Sequence, residues 1–121
     1  MTLRGLLKKV TTSQEDVDRE KLLDFCARSG VTTKIGAMQP RQEATVAGQI
    51  ASLRVVPSTH GSPWLEATVQ DDTGTLVVLW TGRRRIAGIR PGAKLIVSGR
   101  PTPAGRTGRP TLYNPQYELL G

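Results

Sequence analysis

The sequence predicts an all-β protein, or an α+β protein if its one helix is counted, in the form of a five-stranded Greek-key barrel with an N-terminal helical extension. Three features of the middle of the chain carry this prediction. Residues 64–70 alternate apolar and polar side chains, as a half-buried strand does. Asp71-Asp72-Thr73-Gly74 then favours a tight turn, because Asp hydrogen-bonds nearby backbone and Gly accepts a positive φ. Apolar runs at residues 75–81 and 93–99 supply two further strands.

The N-terminal extension, residues 1–42, is predicted to hold one helix over about residues 13–28. Thr12-Ser13-Gln14-Glu15 has the form of a capping box, and Ser29-Gly30 ends the helical pattern. One face of the helix is apolar and must be covered by the barrel or by a partner chain. That face carries Leu22, Phe25 and Cys26. Because Cys26 is the only cysteine, no internal disulfide can form, and we interpret it as a small core residue.

The barrel domain, residues 43–121, is predicted to begin with a long strand over residues 43–56. Gly48 lies within this strand and predicts a bulge or a bend, which a small barrel needs when one strand serves two parts of the sheet. After the third strand, residues 83–89 are predicted to form one or two helical turns, which Pro91-Gly92 ends.

The last part of the barrel combines a loop with a strand. Residues 100–110 contain Pro, Gly and three Arg, so they are predicted to form a long flexible loop. Residues 111–120 are predicted to form the last strand, in which Pro115 implies an edge position or a bulge.

Residues 57–63, between the first and second strands, are also predicted to form a loop. We interpret His60 in this loop as solvated, with stacking on a base as the alternative.

The net charge of +7 is concentrated in the second half of the chain. Residues 1–72 hold nine Lys/Arg and nine Asp/Glu, whereas residues 73–117 hold eight Lys/Arg and no acid. Clustered cations of this kind favour a polyanionic partner, because they release condensed counterions from phosphates. The alternative is a solvated surface that keeps the protein soluble. The eight cations are Arg83, Arg84, Arg85, Arg90, Lys94, Arg100, Arg106 and Arg109.

Five short segments, taken in order, carry a resemblance to a known family. They are residues 46–50 (VAGQI), 67–76 (ATVQDDTGTL), 89–92 (IRPG), 97–99 (VSG) and 114–118 (NPQYE). In this order they resemble the OB-fold nucleic-acid-binding family, and most of all the version found as the wedge domain of the RecG branched-DNA helicases. A more distant resemblance is to the anticodon-binding barrels of some tRNA synthetases. The resemblance spans residues 44–120 and implies a free-standing OB barrel, since the chain has no phosphate-binding motor motif.

OB barrels bind nucleic acid on their second and third strands and on the loops that join strands 1–2 and 4–5. The resemblance therefore implies a groove flanked by residues 57–63 and 101–110. Trp64 is predicted to point away from the core, where it either stacks on a base or covers the barrel mouth or packs on the N-terminal helix. Trp80 is predicted to lie in the core. For Arg83-Arg84-Arg85 the alternatives are a second stretch of nucleic acid, an acidic partner or solvent. The candidate nucleic-acid-binding residues are Arg54, His60, Trp64, Arg83, Arg84, Arg85, Arg100, Arg106, Arg109 and Tyr113.

These observations predict a non-enzymatic nucleic-acid-binding protein, with single-stranded or branched DNA and RNA as candidate ligands and single strands favoured. No nucleophile–base pair, paired carboxylates or Cys/His cluster appears at a useful spacing, so no catalytic residue, metal or cofactor is predicted. The alternative is a protein–protein interaction module, or a homodimer, that uses the N-terminal helix and the apolar outer face of the third strand at Val77 and Leu79. No apolar run approaches the ~20 residues of a membrane span, and the expected location is the cytoplasm.

Overall fold

The computed structural model describes residues 14–58, 61–102 and 109–120. The described chain contains one α helix, one turn of 3-10 helix and six strands. In chain order these are α1 (Gln14–Arg28), the 3-10 turn (Ile35–Ala37), β1 (Ala44–Val56), β2 (Trp64–Gln70), β3 (Thr75–Thr81), β4 (Lys94–Gly99), β5 (Thr111–Tyr113) and β6 (Gln116–Leu120). The predicted helix and strands are therefore confirmed to within one residue over most of the chain, although Thr12 and Ser13 of the predicted capping box lie outside the described residues.

The six strands form one sheet in the order β5-β3-β2-β1-β4-β6. Only the β3–β5 pair is parallel, and every other pair is antiparallel. The predicted last strand is split at Asn114 and Pro115, so that its first part pairs with β3 and its second part pairs with β4. The structure therefore has six strands where five were predicted, because the last strand is interrupted next to Pro115, and the hydrogen-bonded sheet is open between β5 and β6. The OB fold class is nevertheless confirmed, since such barrels are partly open.

Strand β1 bends because its two halves pair with different neighbours. Residues 44–49 pair with β4, and residues 49–56 pair with β2. A Cβ atom at Gly48 would lie 2.7 Å from the carbonyl oxygen of Gln70, which is a backbone atom that cannot move aside easily. Glycine is thus required where β1 passes from one partner to the other, and a register shift follows between Ile50 and Ser52. The strand does serve two neighbours and contains an irregularity, as predicted, but the register shift lies just after Gly48 rather than at it.

The connection from β3 to β4 contains no helix, which corrects the helical turns predicted over residues 83–89. The structure has a single turn there, in which the Ile89 N–H donates to the Ile86 carbonyl at 3.1 Å. Gly88 adopts a φ of +81°, a left-handed conformation that interrupts any right-handed helix. The side chains of Ile86 and Ile89 are buried in the main core, so this connection closes one part of the barrel.

Helix α1 packs on the barrel, which settles how its apolar side is covered. Leu22, Phe25 and Cys26 form a second buried cluster with Ala47 of β1. The Cys26 thiol donates a weak hydrogen bond to the Ala47 carbonyl at 3.7 Å, and burial raises the pKa of this thiol. Ile96 of β4 and Leu120 of β6 pack against the same cluster, so α1 covers the outer side of β1, β4 and β6. Cys26 is therefore a core residue, as predicted.

The segment between α1 and β1 packs against one end of the barrel. Ile35 is buried in the main core, and its N–H donates to Oδ2 of Asp71 at 2.8 Å. The next residue, Gly36, donates its N–H to the Thr73 hydroxyl at 2.8 Å. The β2–β3 turn thus holds the 3-10 turn in place through two hydrogen bonds.

Asp71 is the centre of this arrangement. Its Oδ1 accepts the N–H groups of Thr73 and Gly74 at 2.7 and 3.0 Å and the Thr73 hydroxyl at 2.7 Å. Burial by itself would raise the pKa of Asp71, but these bonds and the bond from Ile35 together hold that pKa below its ordinary value. The ionised carboxylate therefore stabilises both the turn and this end of the barrel.

Candidate nucleic-acid interface

The outward side chains of β1, β2, β3 and β5 form three rows, which the strand registers define. We call this surface the four-strand face. Its first row is Val56, Trp64 and Thr81; its second is Arg54, Glu66, Leu79 and Tyr113; its third is Ser52, Thr68, Val77 and Thr111. The intervening residues of β2 and β3 point into the core, since Leu65, Ala67 and Val69 are all buried there. Alternation along each strand therefore places the three rows on one side of the sheet.

A groove of about 320 Å³ runs along the second and third rows. Its lining comprises Ser52, Leu53, Arg54, Glu66, Thr68, Val77 and Arg109. Arg109 belongs to the loop between β4 and β5, so this loop borders the face. Two backbone hydrogen bonds fix the base of the loop: Thr102 N–H to the Thr111 carbonyl at 2.9 Å, and Val77 N–H to the Pro110 carbonyl at 2.9 Å. The long basic loop is thus anchored to the edge of β3 beside the groove.

Trp64 and Tyr113 form an aromatic pair at the other end of the face. Their rings meet edge to face with centroids 6.4 Å apart. Tyr113 is 51% exposed, and Trp64 is half-buried. Both rings therefore combine packing within the protein with an accessible aromatic surface. Trp80, by contrast, is buried, as predicted, and its ring contacts Tyr117 at 5.6 Å between centroids.

Asn114 joins β5 to β3 at the end of the sheet that carries Trp64 and Tyr113. This role was not predicted from the sequence. The Asn114 backbone has a φ of +48°, which Asn tolerates better than most residues. Its N–H donates to the Leu79 carbonyl at 2.7 Å, and its side-chain oxygen accepts the Thr81 N–H at 3.0 Å. The side chain thus extends the β3–β5 pairing past the end of β5. The Asn-Pro dipeptide was a signal for a break at this point.

The candidate cations differ in their relation to the face. Arg54 lies in the second row but forms an ion pair with Glu66 across the strand pair. Arg54 therefore brings no unbalanced charge to the face. Arg109 borders the groove. Arg100 is exposed and follows Gly99, which pairs with Ala44, so the structure does not bring Arg100 into the three rows.

Arg83, Arg84 and Arg85 are all exposed and follow β3 directly. The last residue of β3, Thr81, pairs with Trp64 in the first row. The arginine run therefore starts two residues beyond the row that contains the aromatic pair. His60 and Arg106, the two other candidates, lie outside the described residues.

The third strand does not offer the open apolar face on which the protein-interaction alternative depended. Val77 and Leu79 are only 4% and 8% exposed, although they lie in the outward rows. Neighbouring strands flank them: Val77 lies between Thr68 and Thr111 in its row and lines the groove with Arg109, and Leu79 lies between Glu66 and Tyr113. The apolar side of α1 is likewise covered by the barrel.

The described ranges of the chain contain neither a membrane-spanning helix nor a metal-binding group of side chains. Within 14–58, 61–102 and 109–120, no helix is long and apolar enough to cross a membrane. The same ranges contain no group of three or more His, Cys, Asp or Glu side chains that could hold a metal ion.

Comparison with known proteins supports the fold. A family model described as an OB-fold nucleic acid binding domain matches residues 44–120. Among solved structures, the chain is similar to the solution NMR structure of the replication factor A related protein from Methanobacterium thermoautotrophicum, with 20% sequence identity and a TM-score of 0.55. This similarity covers 75% of the present chain and 92% of the archaeal chain, and at such low identity it shows the fold alone. Comparison with the curated proteins finds no match.

Proposed function

This chain belongs to the OB-fold nucleic acid binding domain family, and we propose that it binds single-stranded nucleic acid on the four-strand face without catalysing a reaction. The observation that carries the proposal is the placement of the aromatic pair between Arg109 on one side and the run Arg83-Arg84-Arg85 on the other. Tyr113 and Trp64 meet edge to face, Arg109 borders the groove on one side, and Arg83-Arg84-Arg85 follow the paired strand on the other.

This arrangement has the two components that single-strand binding needs. Bases stack on exposed aromatic rings, and each such contact contributes about 1–3 kcal/mol. Guanidinium groups hold phosphate oxygens and release their counterions. In our proposal the bases stack at Tyr113 and Trp64, and Arg109 follows the backbone at the groove. Arg106, of the same loop in the sequence, adds a second phosphate contact, and Arg83-Arg84-Arg85 contact a second stretch of the same strand.

We expect the affinity to be modest, tolerant of sequence and strongly dependent on salt. The face offers few aromatic rings, and the aromatic content of the chain is only 4%. Electrostatic contacts therefore supply a large share of the binding free energy, and added salt weakens them. The narrower resemblance to the wedge domain of branched-DNA helicases stays a prediction, and it adds forked DNA to the ligands worth testing.

The proposal is tested by fluorescence-anisotropy titration with single-stranded DNA, single-stranded RNA, duplex DNA and forked DNA at about 50 and about 200 mM salt. We expect both single strands and the fork to bind at low salt, to bind more weakly at high salt, and to exceed the duplex in affinity. Absence of binding to all four ligands at low salt would instead favour a protein-interaction module. If that module forms a homodimer, size-exclusion chromatography of the same sample would show a larger species.

A further inference from the structure

Glu66 is the only acidic residue that lines the described groove. The other lining residues are Ser52, Leu53, Arg54, Thr68, Val77 and Arg109. Its carboxylate forms an ion pair with Arg54, so the two residues together bring no net charge to the groove. Among the lining residues of this groove, Glu66 is the one whose ionised side chain can only accept hydrogen bonds.

The structure fixes the Glu66 carboxylate in position. Glu66 pairs with Arg54 in the β1–β2 register, and the Arg54 Nε–H donates to Oε2 of Glu66. The Glu66 side chain is 14% exposed and the Arg54 side chain 66% exposed, so the acid is the better held of the two. An ionised carboxylate has about four lone-pair sites and only accepts hydrogen bonds. Arg54 occupies one such site and leaves capacity for further N–H donors.

Glu66 also lies within reach of a stacked base. Trp64 is two residues away on the same side of β2, a spacing of about 7 Å along a strand. Tyr113 lies in the same row as Glu66, with Leu79 between them. Glu66 is therefore the acidic side chain of the second row, next to the aromatic pair on which the proposal places a stacked base.

We infer, on the basis of the proposed function, that Glu66 is a specificity-determining residue that accepts a hydrogen bond from the exocyclic amino group of a cytosine. The N4 amino group of cytosine is a donor that Glu and Asp accept from. Thymine and uracil carry a carbonyl oxygen at the same ring position. This oxygen is a hydrogen-bond acceptor, so a carboxylate repels it. Glu66 therefore favours cytosine over thymine or uracil, while Arg54 acts as the positioning residue that holds the carboxylate across the strands.

The test compares the affinities of the protein for oligocytidine and oligothymidine DNA of equal length. For the wild type we expect the cytosine oligomer to bind about tenfold more tightly, the value of one good side-chain–base pair. Glu66→Gln should bring the two affinities close together, because the amide both donates to thymine carbonyl groups and accepts from the cytosine amino group. Glu66→Ala should do the same by removing the acceptor. Retained binding of the thymine oligomer shows that each variant is folded.

Glu118→Gln is the matched control, because it also removes one negative charge but lies on the exposed side of β6, outside the four-strand face. It should keep the wild-type preference. The inference is overturned if Glu66→Gln raises the affinity for both oligomers by the same factor, since Glu66 would then be only a repelling charge. It is also overturned if the wild type binds both oligomers equally. If the wild type binds neither the cytosine oligomer nor the thymine oligomer, the proposed function itself is overturned.

Discussion

Replacement of Trp64 and Tyr113 together by Ala is expected to weaken the binding of single-stranded DNA by about tenfold to a hundredfold. The two rings meet edge to face on the four-strand face, and Tyr113 is half exposed. Removing both eliminates the stacking surface but leaves every candidate cation in place. The loss should therefore persist at high salt, because stacking depends weakly on ionic strength whereas phosphate contacts depend on it strongly.

Two variants separate stacking from other effects of the double substitution. Tyr113→Phe keeps the ring and removes only the hydroxyl group, so it should bind as the wild type does. Tyr117→Ala removes a tyrosine from β6, outside the three rows, and should also leave the affinity unchanged. Wild-type affinity in a Trp64→Ala/Tyr113→Ala protein that is folded by circular dichroism would show that bases do not stack on this pair.

Replacement of Asp71 by Asn is expected to lower the free energy of unfolding by about 2 kcal/mol at neutral pH, since bonds to a buried ionised group are lost. Asn can keep one oxygen for Thr73 and Gly74. Its amide nitrogen then faces the buried Ile35 N–H, which loses its acceptor. Chemical denaturation at neutral pH measures the difference. Asp72→Asn is the control in the same turn, because Asp72 forms a partly exposed ion pair with Lys34 that contributes less than about 1 kcal/mol.

The effect of Asp71→Asn should shrink in acid. Burial opposes ionisation of Asp71, but its four hydrogen bonds outweigh burial and hold its pKa below that of the unfolded chain. Its contribution to stability is therefore complete above the unfolded pKa of about 4 and is lost as the pH falls through the lower folded pKa. The wild type should approach the variant in stability below about pH 4. A difference that stays constant from pH 7 into this acid range would contradict the role assigned to the ionised carboxylate.

The sequence predicted those elements whose signals are local. The bounds of β2 and β3 match the predicted residues 64–70 and 75–81, because alternation and the turn chemistry of Asp71 and Gly74 act over a few residues. The irregularity in β1 was predictable for a similar reason, since glycine within a long strand signals a bulge or a bend, although the register shift lies just after Gly48.

The features that sequence reasoning missed depend on contacts between distant residues. Ile35 enters the core because Asp71, 36 residues away, accepts its N–H. The last strand divides because Asn114 bonds to Thr81 on a neighbouring strand. The ion pair between Arg54 and Glu66 follows from a strand register that is set only when the whole barrel forms. None of these partners can be chosen from spacing along the chain.

The central claim is that the basic loop beside the groove contacts phosphates of a bound single strand. The most direct measurement is the slope of log affinity against log salt concentration for the wild type, for Arg106→Ala/Arg109→Ala and for a control, Lys21→Ala/Arg28→Ala, which removes two exposed cations from helix α1 instead. Loss of two phosphate contacts should reduce the magnitude of the slope by about 1.4 in the first variant, while the control keeps the wild-type slope. An unchanged slope and affinity in Arg106→Ala/Arg109→Ala would contradict the claim.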